Sequence, residues 1–442
     1  LNFGGFGMSF KKLLYKFEKE NQRPVRVGLL GAGQMGTGLI SQIEKMYGIK
    51  VVAVADVRKD RAYEAYQEAS VDKTLLVKND DDPEKAAQAI ESGKRVACHS
   101  SDMIVQIPNL DVVVESTGIP EVGAKFCYDA ILARKSVVNM NVETDVVVGY
   151  QLAKMAEAAG VVYTLVAGDE PGSVKELYDF ADTLGFEIVC IGKGKNNPLH
   201  PDATPDTVAE SAKAQNMNPK MLAAFEDGTK TMAEMTAMAN GTGYVPEVRG
   251  GYGPTVEVAD LPKVFCPKKD GGILETRHAV DYAMGKIAPG VFVIITTDQP
   301  KIIADLNYLH VSHHGNYWAL YRPYHMANLE TPISILRAFF YHEETLATHS
   351  APTAETITMA KRDLKAGEKV DYLGGYTVYG NVEKAEVARK EGLVPLGLTV
   401  GATIIRDVKK GQPLHYAELE LNESQTIYHL RWLQDKTLGY VE

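Results

Sequence analysis

Six residues, Gly31-Ala32-Gly33-Gln34-Met35-Gly36, constrain this chain more than any other segment. They follow the apolar run VRVGLL and open a stretch of helical character. The next apolar run, VVAVAD, ends on Asp56, twenty residues after Gly36. Alone, G-x-G-x-x-G is a weak signal. Set between a strand and a helix, with an acid closing the second strand, it is the fingerprint of a dinucleotide-binding βαβ unit. Gly31 permits the tight turn, Gly33 lets the backbone approach a pyrophosphate, and Gly36 lets helix and strand pack closely. Gln34 and Met35 open the helix, whose N-terminus favours negative charge. Asp56 suits the ribose hydroxyls of NAD, whereas Arg58 and Lys59 suit the 2′-phosphate of NADP. Either dinucleotide is therefore expected.

Beyond this unit, strand and helix patterns alternate. Residues 8–22 space their apolar side chains as a short amphipathic helix, and further strands are expected at RVACHS, DVVVEST and SVVNMNV. The pattern predicts an α/β chain that opens with a doubly wound Rossmann sheet over residues 8–150. A helix at 145–159, the strand VVYTLVAGD, the helix SVKELYDFADTLG and the strand FEIVCIG then lead into an α+β substrate and dimerisation domain, 151–350. Within it, the glycine-rich stretch 240–254 is long enough to be read as a lid. From 351 to 442 short strands broken by Gly and Pro predict a small β-rich domain.

Composition narrows the partners. A net charge of −10 and a pI near 5.7 argue against nucleic acid, and no apolar run approaches the ~20 residues that span a bilayer. The four scattered cysteines, Cys98, Cys127, Cys190 and Cys266, predict a reduced, cytoplasmic protein without disulfides. The stretch LNFGGFG before Met8 lacks the pattern of a secretory signal and is read as an extension.

Polar residues gather where predicted strands end, the edge at which open α/β sheets bind ligands. Ser116, Thr117 and Gly118 follow DVVVE and are expected at the cofactor. Asn141 follows SVVNM and suits an amide or a substrate, while Glu143 and Asp145 serve equally as first-turn acids of a helix. Asp169 and Glu170 are a helix cap and its neighbour, or with Glu143 the oxygen ligands of a divalent cation. FEIVCIGKGKNN ends on Lys193, Lys195, Asn196 and Asn197, either a strand reaching water or a substrate-facing end. Arg322 and His325, in RPYH, suit a phosphate or carboxylate. His310, His313 and His314 invite a metal reading, but no acid or thiol stands at ligand spacing.

The order of the fingerprint, DVVVESTG, KSVVNMNV, VAGDEPGSVKELYDF and IGKGKNN resembles homoserine dehydrogenase. KRDLKAGEKVD, PLGLTVGATIIRDVKKGQPL and HYAELEL resemble a SAF domain. Together they are similar to the 1-deoxy-D-xylulose 5-phosphate reductoisomerase-like family. The resemblance implies an NAD(P)H-dependent homodimer in isoprenoid precursor synthesis, acting on a phosphorylated small molecule. It departs where homoserine dehydrogenases carry Asn-Lys, because this chain has Asn141-Val142. The ammonium of Lys193 or Lys195 is expected to replace the missing one and stabilise an oxyanion, with Glu143 or Asp169 moving the proton. Asn196, Asn197, Arg322 and His325 would hold substrate hydroxyls and phosphate. Two alternatives stand beside this: an oxidoreductase on another small hydroxy or keto compound, and a cofactor- or carbohydrate-binding sensor.

Overall fold

The computed structural model describes residues 9–58, 60–197 and 199–441, so Lys59 and the stretch before Ser9 lie outside the described residues. The chain divides into two units. The first takes the described residues up to Asn141, together with Leu152–Asp169 and Met326–Thr345.

Its frame is a seven-stranded sheet: β1 (Val25–Leu30), β2 (Ile49–Ala55), β3 (Leu76–Lys78), β4 (Arg95–Cys98), β5 (Val112–Glu115), β6 (Ser136–Asn139) and β7 (Tyr163–Leu165). The order is β3-β4-β2-β1-β5-β6-β7, and every pairing is parallel. Such strands are buried on both faces and read as continuous apolar runs, as VRVGLL and IKVVAVA do. The expected N-terminal helix is Phe10–Asn21, and it seals the unit with Leu13, Leu14 and Phe17. The helix Ala327–Phe340, far along the chain, adds Ile335, Leu336 and Phe340 to the same core. It lies so close to the helix Gln34–Glu44 that a Cβ on Gly38 would meet the Asn328 amide. Burying those three side chains, at about 1.5–3 kcal/mol each, ties residues 326–345 to this unit.

The second unit takes Val142–Gln151, Glu170–His325 and Leu346 onward. Its sheet comprises β8 (Glu187–Lys195), β9 (Ala279–Met284), β10 (Val291–Thr296), β11 (His313–His314) and β12 (Tyr317–Arg322), in the order β11-β12-β10-β8-β9. β8 runs antiparallel to β10 and parallel to β9, which makes it a central strand. It also runs three residues beyond the expected FEIVCIG, so both lysines lie within the strand. One face is covered by the helices Glu170–Thr183 and Thr229–Thr242, whose apolar side chains share a core with Ile188, Ile191, Val291 and Val293.

The C-terminal stretch is β-rich, as expected, with β13 (Ala354–Ala360) paired to β14 (Val378–Lys384) and β15 (Thr403–Ile404) paired to β16 (Leu419–Glu420). The segment read as a lid differs from expectation. The helix Thr229–Thr242 absorbs its start, and the rest is fastened along its length. Arg249 pairs with Glu383 and Glu391 at 2.6 Å, and Asp281 accepts from the backbone N–H of Tyr252 and Gly253. Glycines here serve close packing: a Cβ on Gly253 would lie 2.3 Å from the Tyr282 ring.

All four cysteines are buried thiols outside any disulfide. No helix among the described residues is long and apolar enough to cross a membrane.

Candidate active site

The fingerprint folds as a phosphate cradle. Gly31 has φ +97°, and a Cβ on Gly36 would stand 2.0 Å from the Gly31 carbonyl oxygen, so neither tolerates a side chain. Gly33 caps the helix Gln34–Glu44, and a Cβ there would meet nothing within 4 Å. That is open space beside a helix N-terminus, which fits a pyrophosphate. Asp56 is buried and accepts from the Ala32 N–H at 2.9 Å and from Arg58 through its N–H and guanidinium. Burial opposes its charge, yet Arg58 and the Ala32 N–H hold the carboxyl below its ordinary value. A carboxylate and a guanidinium therefore stand together where ribose chemistry is read, and the residues fit NAD or NADP.

Ser116 donates to the carbonyls of Leu30 and Gly31 at 2.9 Å, bracing the glycine turn. Thr117 is fixed by Glu115, a fully buried carboxylate, while Gly118 has open space around its Cβ position. Asn141 is buried, and its amide donates to the Ile119 carbonyl at 3.1 Å, joining the loops after β5 and β6. Gly36→Val is expected to weaken NADPH binding about tenfold or more, because a clash of this kind costs about 1–3 kcal/mol. Fluorescence titration of NADPH checks it, and unchanged affinity would remove the cradle from cofactor binding.

In the second unit, the end of β8 lines a cavity of about 200 Å³. Side chains alternate along a strand, so Lys193 and Lys195 share one face and Gly192 and Gly194 the other. The glycine face is closed by backbone: a Cβ on Gly192 would meet the Asp281 carbonyl oxygen, and one on Gly194 the Ala288 nitrogen, each at 2.2 Å. The lysine face opens on the cavity, whose wall includes Glu170, Asn196, Asn197, Gln215, Phe225, Thr231 and His325.

The two ammoniums differ in their surroundings. Lys193 is 5% exposed, donates to Glu170 Oε1 at 2.7 Å and contacts Glu234. Burial alone would discharge it, but the two carboxylates hold it charged, above the ordinary lysine value. The ammonium lies between these two carboxylates. Burial, with Glu170 close by, pushes the Glu234 carboxyl up. Lys195 is as buried as Lys193, and its hydrogen bond among the described residues goes to the Phe225 carbonyl at 2.7 Å. Burial first, then the neighbouring Lys193 charge, bring it down to about 8. An amine that titrates near neutrality can give and take a proton, the property required of an acid–base catalyst. The Lys193 charge is thus the second cause, after burial, of the lowering at Lys195.

Around this pair, Glu170 opens the helix Glu170–Thr183 and turns its second oxygen toward His325 Nε2 at 3.5 Å. The other ring nitrogen of His325 is held by the Pro289 carbonyl at 2.7 Å. Asn196 is exposed and Asn197 half-buried at the cavity's wall. Arg322 does not line the cavity. Its guanidinium pairs with Glu176 at 2.8 Å and lies over the Tyr324 ring. Glu143 pairs with Lys230 at 3.2 Å, and neither it nor Asp169 lines the cavity. The structure thus gathers Lys193, Lys195, Asn196, Asn197 and His325, and leaves Arg322, Glu143 and Asp169 out of the wall. The histidines of HVSHHGN assemble no ligand set among the described residues.

Sequence reasoning missed Glu234, which sits in a helix buried almost all round. The available signal was a lone carboxylate among Ala and Met in TMAEMTAMAN, since a buried charge requires a partner.

Comparison with known proteins divides the chain similarly. The family model "Homoserine dehydrogenase, NAD binding domain" matches residues 31–165, and "Oxidoreductase DRL, catalytic domain" matches residues 168–331. No curated protein matches the chain. Among solved structures, a probable dehydrogenase from Thermotoga maritima is 13% identical, with 67% of this chain and 74% of that one covered at a TM-score of 0.38. Biliverdin reductase from Synechocystis, solved with biliverdin and NADP+, is 15% identical over 40% of this chain and 50% of that one, at a TM-score of 0.28. With a fingerprint that fits the dinucleotide and family models for both a cofactor and a catalytic domain, the chain is an NAD(P)-dependent oxidoreductase.

Proposed function

We propose that the chain is a reductoisomerase that converts 1-deoxy-D-xylulose 5-phosphate into 2-C-methyl-D-erythritol 4-phosphate. The observation that carries this reading is a cavity lined by two ionisable groups, Lys195, brought down to about 8, and the carboxylate of Glu170. A simple carbonyl reduction needs one proton donor, whereas a rearrangement followed by reduction must move protons among neighbouring oxygens.

In the proposed sequence Glu170 takes the proton of the C4 hydroxyl. The C3–C4 bond breaks, its electrons pass to the C2 carbonyl, and an enediolate and an aldehyde result. The Lys195 ammonium, 5% exposed, faces the developing oxyanion. The O3 proton passes to O2, C2 then bonds to C4 as C3 becomes the aldehyde, and O4 recovers its proton from Glu170. When bound, the nicotinamide supplies the hydride that reduces this aldehyde. Lys195 delivers the matching proton to its oxygen, and Asn196, Asn197 and His325 hold hydroxyls and the phosphate at the wall. The resemblance of the whole segment order to the reductoisomerase-like family supports the same choice of substrate.

The test incubates the purified chain and NADPH with 1-deoxy-D-xylulose 5-phosphate, its unphosphorylated sugar, and aspartate semialdehyde. NADPH consumption confined to the phosphorylated sugar, with a branched polyol phosphate by NMR, is the expected result. Turnover of aspartate semialdehyde alone would overturn the substrate, and binding of every compound without turnover would make the chain a sensor.

A further inference from the structure

Between β8 and the helix Thr229–Thr242 the chain makes an excursion, 199–228, that supplies Gln215, Met217 and Phe225 to the cavity. It has a small apolar core of its own, including Val208, Ala212 and Leu222. Its two ends meet where the His200 N–H donates to the Glu226 carbonyl at 2.8 Å. So small a core does not hold such a segment in one place by itself.

The C-terminal module fastens it. Lys361, at the end of β13, is 3% exposed, and its ammonium meets three acceptors. These are the Ala203 carbonyl at 2.6 Å, the Gly375 carbonyl at 2.8 Å and Asp227 at 2.7 Å. Two hydrogen bonds and one ion pair thus converge on the ammonium, and one lysine grips both the start and the end of the excursion. Closer to the surface, Tyr376 donates to Asp206 at 3.0 Å and Lys410 pairs with Asp202 at 3.1 Å. Gly374 approaches so closely that a Cβ would stand 2.1 Å from the Lys220 carbonyl oxygen.

We propose that the C-terminal module is a positioning element for the reaction, with Lys361 holding segment 199–228 in place and thereby setting the Phe225 carbonyl and the Asp227 charge against Lys195. The proposal rests on the reading of Lys195 as the acid–base group. Lys361 does not line the cavity and acts through the segment it holds. Asp227 is one of the charges that raise Lys195 against burial, which gives the module an electrostatic route to the amine as well as a mechanical one.

The test is the double variant Asp227→Asn with Lys361→Met, which leaves neither charge buried alone. Three outcomes are expected with native circular dichroism. Amide hydrogen exchange rises about tenfold or more across 199–226 while β9 and β10 keep their protection. The limb of the kcat/KM profile near pH 8 moves down, because a charge that favoured the ammonium is gone. Turnover falls about tenfold with a smaller change in KM, as misplacement of a reacting group predicts. Wild-type exchange together with an unmoved limb overturns the proposal. If the wild type shows no limb near pH 8, the reading of Lys195 fails, while faster exchange in the variant would still establish the clamp. Should the double variant not fold, Tyr376→Phe with Lys410→Ala removes exposed contacts only. It is expected to raise exchange in 199–226 about twofold, and no rise overturns the proposal.

Discussion

Lys195→Met is expected to lower kcat for carbonyl reduction about 10²–10⁴-fold, the usual contribution of a positioned acid or base. Methionine keeps the length and apolar stem of the side chain, so the fold and NADPH affinity stay near wild type. The pH dependence is the sharper test. Lys195 lies lowered to about 8, so its ammonium, the proposed proton donor in reduction, dominates below pH 8 and is lost as the pH rises through that value. Reduction should therefore lose rate on the alkaline side. Oxidation, which requires the neutral amine, should gain rate over the same interval. Both limbs should vanish in Lys195→Met, and a variant that kept full turnover with an unchanged profile would take Lys195 out of the chemistry.

Lys193→Met should act on stability before it acts on rate. Removing that ammonium leaves Glu170 and Glu234, 12% and 2% exposed in their side chains, facing each other without the charge that bridges them. Breaking a buried pair from one side costs about 3–5 kcal/mol, and thermal unfolding should report a fall of roughly 10 °C. The sign of the pH dependence follows. In the variant the carboxyls are pushed above their unfolded values. The folded state is then favoured while they are protonated, and loses that stability as the pH rises through the raised values. The deficit should shrink on acidification, and Lys193→Met with Glu234→Gln should recover part of it. Equal unfolding temperatures for wild type and Lys193→Met would show that the carboxylates do not depend on this lysine.

How much of this was legible in the sequence depends on the distance over which each feature is determined. The cofactor cradle was readable because its parts are local: a strand, three glycines and an acid lie within one βαβ stretch, and each glycine answers a steric demand inside it. The cavity end of β8 was readable in outline, because GKGKNN interrupts an apolar run with charge. Its partners were not. Glu234 reaches Lys193 across forty-one residues, and the Glu143–Lys230 pair joins helices still farther apart in the chain. No spacing rule connects such positions. Arg322 looked like an anion site because RPYH places cation, aromatic and imidazole together, yet Glu176 on another element claims the guanidinium. The glycines of 243–254 fit mobility and close packing equally well in sequence, and Asp281 and Arg249 decide for packing.

The alternation of Gly and Lys at the end of β8 means that the facing of the two lysines is stored as parity. A slip of one residue against β10 would turn both ammoniums toward the backbone of Asp281 and Ala288, where not even a methyl group fits. It would also leave two hydrogen atoms facing the carboxylates of Glu170 and Glu234. The nearest wrong alignment thus fails on both faces of the strand at once, and a slip of two is opposed by the paired lengths of β9 and β10. The same two residue types that make the site therefore proofread the register that builds it.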